Sequence, residues 1–575
     1  MRTQLFLSEL VESAIVAATG EKAPAMLRRT ADPKFGDYQA NGLLPLGKRL
    51  GKNPRDLATQ TAELLTQSAA FAKVEVAGPG FLNLTLRADF ADKTLNEFLH
   101  DVRLGVPAVS KPEHVVVDFS SPNIAKQMHV GHLRSSILGA AMVRLLREVG
   151  HKVTGDNHLG DWGTQFGTLI VGMRRFGNEA ALASDPVVEL ERVYKLATAA
   201  AKEDPSVGDT ARAELAKLQA GDPDNRALWE HFVAVTRKSL DRVYAMLGVE
   251  FDMWMGESAY HPMLEGVVAE LKERGLVRED AGALCVFFGE LDSAPADLKK
   301  QKEPFIVQKA DGAYLYSTTD IATLKYRHDT LKADRAIYVV DARQSLHFKQ
   351  LFALAAMMGI PTKLVHPGFG SVLGEDGKPL KTRDGQAITL ESLLSEATSR
   401  ARARIMEEGL EIPESELDEA SRTIGIGAVK YADLKQNLAS DYTFDWDKMT
   451  SFKGNSGPYL QYAYARIQSI FRKGEVGDAT QGAVHIEAAE EWALARELLQ
   501  FPDVVHDAAE QCLPHLVSEH LYAVARAFSS FYEACPVLRA EDPRTRASRL
   551  ALSALTAAQL QRGLYLLGIG TLERM

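Results

Sequence analysis

Two histidines, His129 and His132, stand three apart in the stretch SSPNIAKQMHVGHLRSSILG (120–139), with Val130 and Gly131 between them. Imidazoles at that spacing can donate hydrogen bonds to a phosphorus centre gaining negative charge. If a helix begins there, its unpaired N–H groups and partial positive charge also suit a phosphate. Gly131 has no side chain and would let a flat base or a phosphate approach the backbone. The same spacing fits a metal pair or a plain helix cap, but the sequence has no HExxH and no cysteine nearby. The common phosphate loops, GxxxxGK[ST] and a strand-following GxGxxG, do not occur either.

The elements that must hold these histidines are legible around them. HVVVDFSS (114–121) is a β-branched run of the kind that forms a buried parallel strand. It meets Pro122, whose ring is expected to push Ser121 toward extended geometry. Ile137, Leu138, Ala141, Leu145, Leu146 and Val149 recur with helical period, Gly150 is a candidate C-cap, and HKVTGDN starts another strand. Strand, loop, helix and strand in that order make a unit of a doubly wound sheet. Residues 175–245, rich in Ala, Glu and Arg, form an expected helical insertion. Beyond it CVFFG, PFIVQK, AYLYST and AIYVVDA have strand composition, and the parallel sheet is expected to resume there.

Upstream, helical stretches Gln4–Ala18 and Asn53–Gln67 flank the turn-rich ADPKFGDYQANG, and strand-like FAKVEVAG and FLNLTL follow. Val102–Pro112 has the look of a linker. From about 390 onward the pattern is helical, with Leu460–Phe471, Trp492–His506 and Val517–Cys535 as long stretches. The expected organisation is multidomain α/β: a small α+β domain over 1–110, a Rossmann-like parallel-sheet domain over 111–390, and an all-α domain over 391–575.

The chain has 575 residues, 46% of them hydrophobic and 25% charged, which is ordinary globular usage. No apolar run reaches the roughly 18 residues of a membrane span, and the N-terminal stretch carries acidic residues unlike a signal peptide. Cys285, Cys512 and Cys535 are scattered, so no disulfide framework or paired zinc spacing is expected and a reducing, cytoplasmic setting is. The net charge of −10 discourages indiscriminate nucleic-acid binding but allows a partner that meets a locally basic groove.

SSPNIAKQMHVGHLRSS followed by DNHLGDWGTQFG closely resembles the class I aminoacyl-tRNA synthetases, and among them the arginyl-tRNA synthetases. HVGH matches the signature usually written HIGH, with Pro122 and Asn123 ahead of it. The resemblance extends through ADPKFGDYQANG, GPGFLNL, YLYSTTDIA, VVDARQSLHFKQLF, GKPLKTR and GNSGPYLQYAYARI, which covers essentially the whole chain.

The resemblance implies ATP-dependent activation of L-arginine to arginyl-adenylate, then transfer to the 3′ end of tRNA(Arg), by a cytoplasmic monomer. It implies that His129 and His132 hold the ATP phosphates, that Gly131 lies beneath the adenosine, and that Mg²⁺ comes with ATP without a structural metal. Arginine contacts are implied for Asp118, Ser120, Asn123, His129, Tyr316, Asp320 and Gln344. Phe81 and Asn83 match positions that hold a D-loop base of the tRNA. Tyr459, Tyr462 and Met575 match anticodon contacts. An ordinary strand at Phe81 and a buried aromatic pair at Tyr459 and Tyr462 remain alternatives. The second signature of the class, KMSKS, is degenerate here. SVLGEDGKPLKTRDG keeps Lys378, Lys381 and Arg383, and Lys126 resembles a cation credited with compensating. A small-molecule adenylyltransferase and a catalytically silent RNA-binding paralogue are the competing functions.

Overall fold

The β-branched run becomes the middle strand of a five-stranded sheet. In the computed structural model, which describes residues 1–374, 376–378, 380 and 388–575, the strands are β1 (His114–Phe119), β2 (Lys152–Asn157), β3 (Met253–Trp254), β4 (Arg335–Val339) and β5 (Lys363–Val365). They lie in the order β5–β4–β1–β2–β3, and every neighbouring pair is parallel. Val115, Val116, Val117 and Phe119 are wholly buried, as a strand covered on both faces requires. Helix α1 (Val130–Glu148) joins β1 to β2, α2 (Tyr316–Asp329) precedes β4, and α3 (Ser345–Met357) joins β4 to β5. Successive strands step outward from β1 in one direction and from β4 in the other. The switch between β1 and β4 opens a crevice at the carboxyl ends of both strands.

CVFFG and PFIVQK do not extend this sheet. Ala283–Val286 pairs antiparallel with Arg278–Asp280 on one side and with Phe305–Gln308 on the other, in a separate three-stranded sheet. The two-residue connection at Ala281 and Gly282, with φ of 47° and 82°, closes a tight hairpin, whereas a parallel pairing needs a long crossover. AYLYST is not a strand either, because α2 starts at Tyr316. Its β-like composition is overridden where the Ser317 and Thr318 hydroxyls donate to the carbonyls of Ile306 and Val307. Helices Glu179–Ser184, Pro186–Glu203, Pro205–Gln219 and Pro223–Leu247 occupy the segment between β2 and β3.

Contacts divide the chain into two units, Ser110–Arg400 with Ala432–Lys448, and Met1–Val109 with Ala401–Tyr431 and Met449–Met575. Within the first, Arg134 on α1 is buried against Asp433 at 3.2 Å and donates to the carbonyls of Gly370 (2.7 Å) and Ser440 (3.0 Å). It therefore ties α1 to the start of the stretch that carries Lys378.

The second unit contains an antiparallel sheet in the order Leu27–Arg29, Tyr38–Ala40, Phe81–Leu86, Phe71–Ala77. Part of the expected turn-rich stretch is therefore strand. Helix Thr3–Thr19 has no side-chain cap of its own; Asp503 accepts from the Gln4 N–H at 2.8 Å and serves instead. Helices Leu43–Leu50 and Ala88–His100 also form here, beyond those read from periodicity. Trp492–His506 is two helices, Ala489–Leu498 and Phe501–Gln511, because Pro502 is suited to a first turn and not to a helix interior.

Candidate active site

A cavity of about 440 Å³ occupies the crevice between β1 and β4. Asp118, Ser120, Asn123, Gly131, His132, Tyr316, Asp320 and Gln344 all line it. Pro122 and Val130 are buried in its supporting wall. His129 lies beside it, its ring 4.2 Å from that of His132.

The two histidines cap α1 reciprocally. The Gly131 N–H donates to His129 Nδ1 at 3.0 Å, and the His129 N–H donates to His132 Nδ1 at 3.2 Å. A ring nitrogen that accepts from a backbone N–H carries no proton, so in each neutral imidazole Nε2–H remains as a donor. Burial, then the His129 and Lys126 charges, push His132 down to about 4; burial and Lys126 lower His129 as well. Both rings are thereby held as neutral donors at physiological pH. The cap itself also requires a glycine at 131. A Cβ there would come within 2.8 Å of two atoms of the His129 ring, so any side chain would displace the cap.

The turn from β1 to α1 is strained. Ser120, Ser121 and Ala125 have φ of 71°, 47° and 62°, sparsely populated for residues with a Cβ. Ser121 is thus not extended, despite Pro122. Its N–H donates to Asn157 at 3.2 Å and its hydroxyl to Asp118 at 3.0 Å, and these bonds override the local preference. The Ser120 hydroxyl is shared between Ser136 (2.8 Å) and Tyr244 (2.6 Å). Asn123 is exposed and bridges to Gly160, where an added Cβ would sit 2.1 Å from the Asn123 Oδ1. Gly160, in HLGDWG, is what lets Asn123 occupy its place.

Part of the lining is acidic. His347 Nε2 donates to Asp320 Oδ2 at 2.6 Å, fixing the carboxylate on the first turns of α2. Glu257 lines the same cavity. Burial, then the charges of Asp320 and Asp161, push it up to about 8. Neither Glu257 nor His347 was singled out from sequence. His347 lay inside a resembling stretch without a role, and Glu257 in GESAYHP belongs to no motif. Asp118, Asp156 and His158 bring ligand atoms within 4.8 Å of one another, but Arg327 already pairs with both carboxylates at 2.7 Å.

The cations are placed less completely. Lys126 is exposed and borders a small cleft with Thr389 and Glu391. Lys378 is exposed, its carbonyl accepting from the Gly374 N–H at 2.7 Å. Lys381 and Arg383 lie outside the described residues. Ile388 and Leu390, which follow in the chain, are bonded to the segment that carries the histidines. The Val130 N–H donates to the Ile388 carbonyl at 3.1 Å, and the Leu390 N–H to that of Met128 at 2.8 Å.

In the second unit, Phe81 is half-buried, whereas Asn83 is buried with its Oδ1 accepting from Gln39 at 2.8 Å. Tyr459 and Tyr462 are half-exposed on helix Gly457–Lys473, so they are not a buried core pair. Met575 packs on the small apolar cluster around Ile405 and Ile424.

Comparison with known proteins covers both units. Residues 94–446 match the family described as "tRNA synthetases class I (R), catalytic domain", 6–86 "Arginyl tRNA synthetase N terminal domain", and 460–575 "DALR anticodon binding domain". The "Arginine--tRNA ligase" of Hahella chejuensis is 45% identical over the full length of both chains. The solved arginyl-tRNA synthetase of Plasmodium falciparum aligns with TM-score 0.83 at 28% identity, covering 100% of this chain and 99% of that one. The Thermus thermophilus arginyl-tRNA synthetase aligns with TM-score 0.83 at 27% identity, covering 100% of each chain. The catalytic-domain match encloses every residue of the cavity and the full-length likenesses take in the rest, so the chain belongs to the class I arginyl-tRNA synthetase family.

Proposed function

We propose that this protein is an arginine–tRNA ligase of the cytoplasm, acting as a monomer on ATP, L-arginine and tRNA(Arg). The observation that carries the reading is one cavity lined by the neutral His132 donor, with His129 beside it, and by Asp320 and Glu257. A guanidinium is planar, permanently charged and a five-donor fork, which suits such an acidic lining. Asp320, Glu257 and Tyr316 take the guanidinium, and Asp118, Asn123 and Gln344 take the α-amino and carboxylate end. The arginine carboxylate attacks the α-phosphorus of ATP and pyrophosphate departs. The terminal ribose hydroxyl then attacks the activated carbonyl and AMP departs. His129 and His132 donate through Nε2–H to phosphate oxygens as charge develops, and no covalent enzyme intermediate is required. Mg²⁺ accompanies the phosphates, because Arg327 neutralises the Asp118 and Asp156 carboxylates that would otherwise offer a protein cage. Phe81 and Asn83 serve the D-loop, and Tyr459, Tyr462 and Met575 the anticodon.

Glu257 makes arginine binding proton-linked. Below about 8 it is neutral in the free protein, and a guanidinium beside it favours the carboxylate, so binding expels a proton. Arginine affinity should therefore rise with pH between about 6 and 8, by at most about tenfold per unit for one proton. Glu257→Gln should flatten that slope. A calorimetric Kd independent of pH across this window would remove Glu257 from the guanidinium site.

Lys126, Lys378 and Lys381 neutralise the departing pyrophosphate once cognate tRNA has brought them into line with it. Arginine-dependent exchange of labelled pyrophosphate into ATP is accordingly expected to be negligible without tRNA(Arg) and robust with it. Lys381→Ala should lower kcat for exchange more than arginine affinity. Exchange at full rate without tRNA would end the alignment part of the proposal, and no exchange under either condition would end the ligase reading.

A further inference from the structure

Tyr316, Asp320, Thr323 and Arg327 fall at helical spacing on one face of α2. The first three line the cavity. Arg327, wholly buried, instead reaches the sheet beneath. Its Nη2 donates at 2.7 Å to Asp118 Oδ2 on β1 and at 2.7 Å to Asp156 Oδ2 on β2. Asp118 and Asp156 are direct partners in the parallel register, and Tyr338 of β4 is the partner of Asp118 on the other side. The guanidinium lies 5.0 Å from the Tyr338 ring centroid. Two neighbouring buried carboxylates repel unless a cation lies between them, so this arrangement depends on Arg327.

The consequence is geometric. Asp320 and Asp118 stand at opposite ends of the amino-acid slot assigned above, one on α2 and the other on β1. Arg327 is the buried ionic bond from that same face of α2 to Asp118 itself. We propose that Arg327 is a positioning residue that sets the length of the slot. By pinning α2 to two adjacent strands it fixes the separation of Asp320 from Asp118, and so selects a side chain with arginine's number of methylenes. The proposal rests on the arginine-binding reading of the cavity and adds to it a determinant that touches no substrate.

The test compares kcat/KM for aminoacylation with arginine and with homoarginine, which has one more methylene. In a slot of fixed length one methylene is worth about ten- to two-hundredfold. Arg327→Lys keeps the charge but replaces the planar fork with a single ammonium, which repositions α2. It should lower the arginine-over-homoarginine ratio about tenfold while the KM for ATP stays within about twofold. Asp156→Asn removes the charge from one leg of the clamp, leaves the ionic bond to Asp118, and should lower the ratio about threefold; it decides the matter if Arg327→Lys does not fold. A merely structural role would reduce both rates together. An unchanged ratio in whichever variants fold therefore overturns the proposal. Wild-type protein that does not use arginine would overturn the reading beneath it as well.

Discussion

Asp320→Asn is expected to raise the arginine KM about ten- to hundredfold and leave the ATP KM within about twofold. The substitution keeps size and removes the charge opposite the guanidinium, and charge-assisted hydrogen bonds contribute about 1.5–3 kcal/mol. His347 already engages Oδ2, so the loss falls mainly on the oxygen left for substrate. The defect should also depend on pH. The Asp320 charge is one of the causes that raise Glu257, so without it Glu257 ionises more readily and partly replaces the missing anchor. Steady-state charging at about pH 7 and about pH 9 should show the smaller defect at the lower value, where Glu257 is still largely neutral in wild type, and the larger defect at the higher value, where it is ionised in both. An arginine KM equal to wild type in a folded variant would take Asp320 out of the pocket.

His132→Ala should lower kcat about a hundred- to a thousandfold with tRNA affinity nearly intact, the range seen when one preorganised donor to a developing oxyanion is removed. The donor is neutral because His132 is held near 4. The size of the defect should therefore not change between about pH 6 and 8, where a donor of ordinary histidine pKa would titrate. A second consequence separates chemistry from folding. His132 Nδ1 caps the His129 N–H, and losing a cap costs about 1 kcal/mol, too little to unfold the domain. If tRNA binding collapsed in parallel with the rate, the histidine would be a determinant of the helix start and not of phosphate chemistry.

What could be read from sequence divides along a physical line. Val115–Val117 and the apolar period of α1 report burial directly, so the strand, the helix and the crevice they imply are visible in one dimension. CVFFG and PFIVQK report burial equally well but not pairing direction; the Ala281–Gly282 hairpin decides that. Ser121 illustrates the limit of local rules. Pro122 argues for extended backbone, yet Ser121 stands at positive φ and donates two hydrogen bonds, one to Asp118 on the preceding strand and one to Asn157 on the next. Glu257 and His347 were out of reach because their relation to Asp320 joins segments far apart in the chain, and neither sits in a spacing that chemistry requires. The likeness to a family supplied residue roles that spacing could not, but it did not supply the close packing of the His129 ring against Gly131.

The most direct measurement is acid-precipitable transfer of radiolabelled arginine to tRNA(Arg) by the purified full-length protein with ATP and Mg²⁺. Charging is expected to be stoichiometric, to require ATP, to persist against a large excess of unlabelled lysine, and to be suppressed when a large excess of unlabelled arginine is present from the start. Charging that fails with arginine while ATP turnover proceeds with another amino acid would contradict the arginine–tRNA ligase reading.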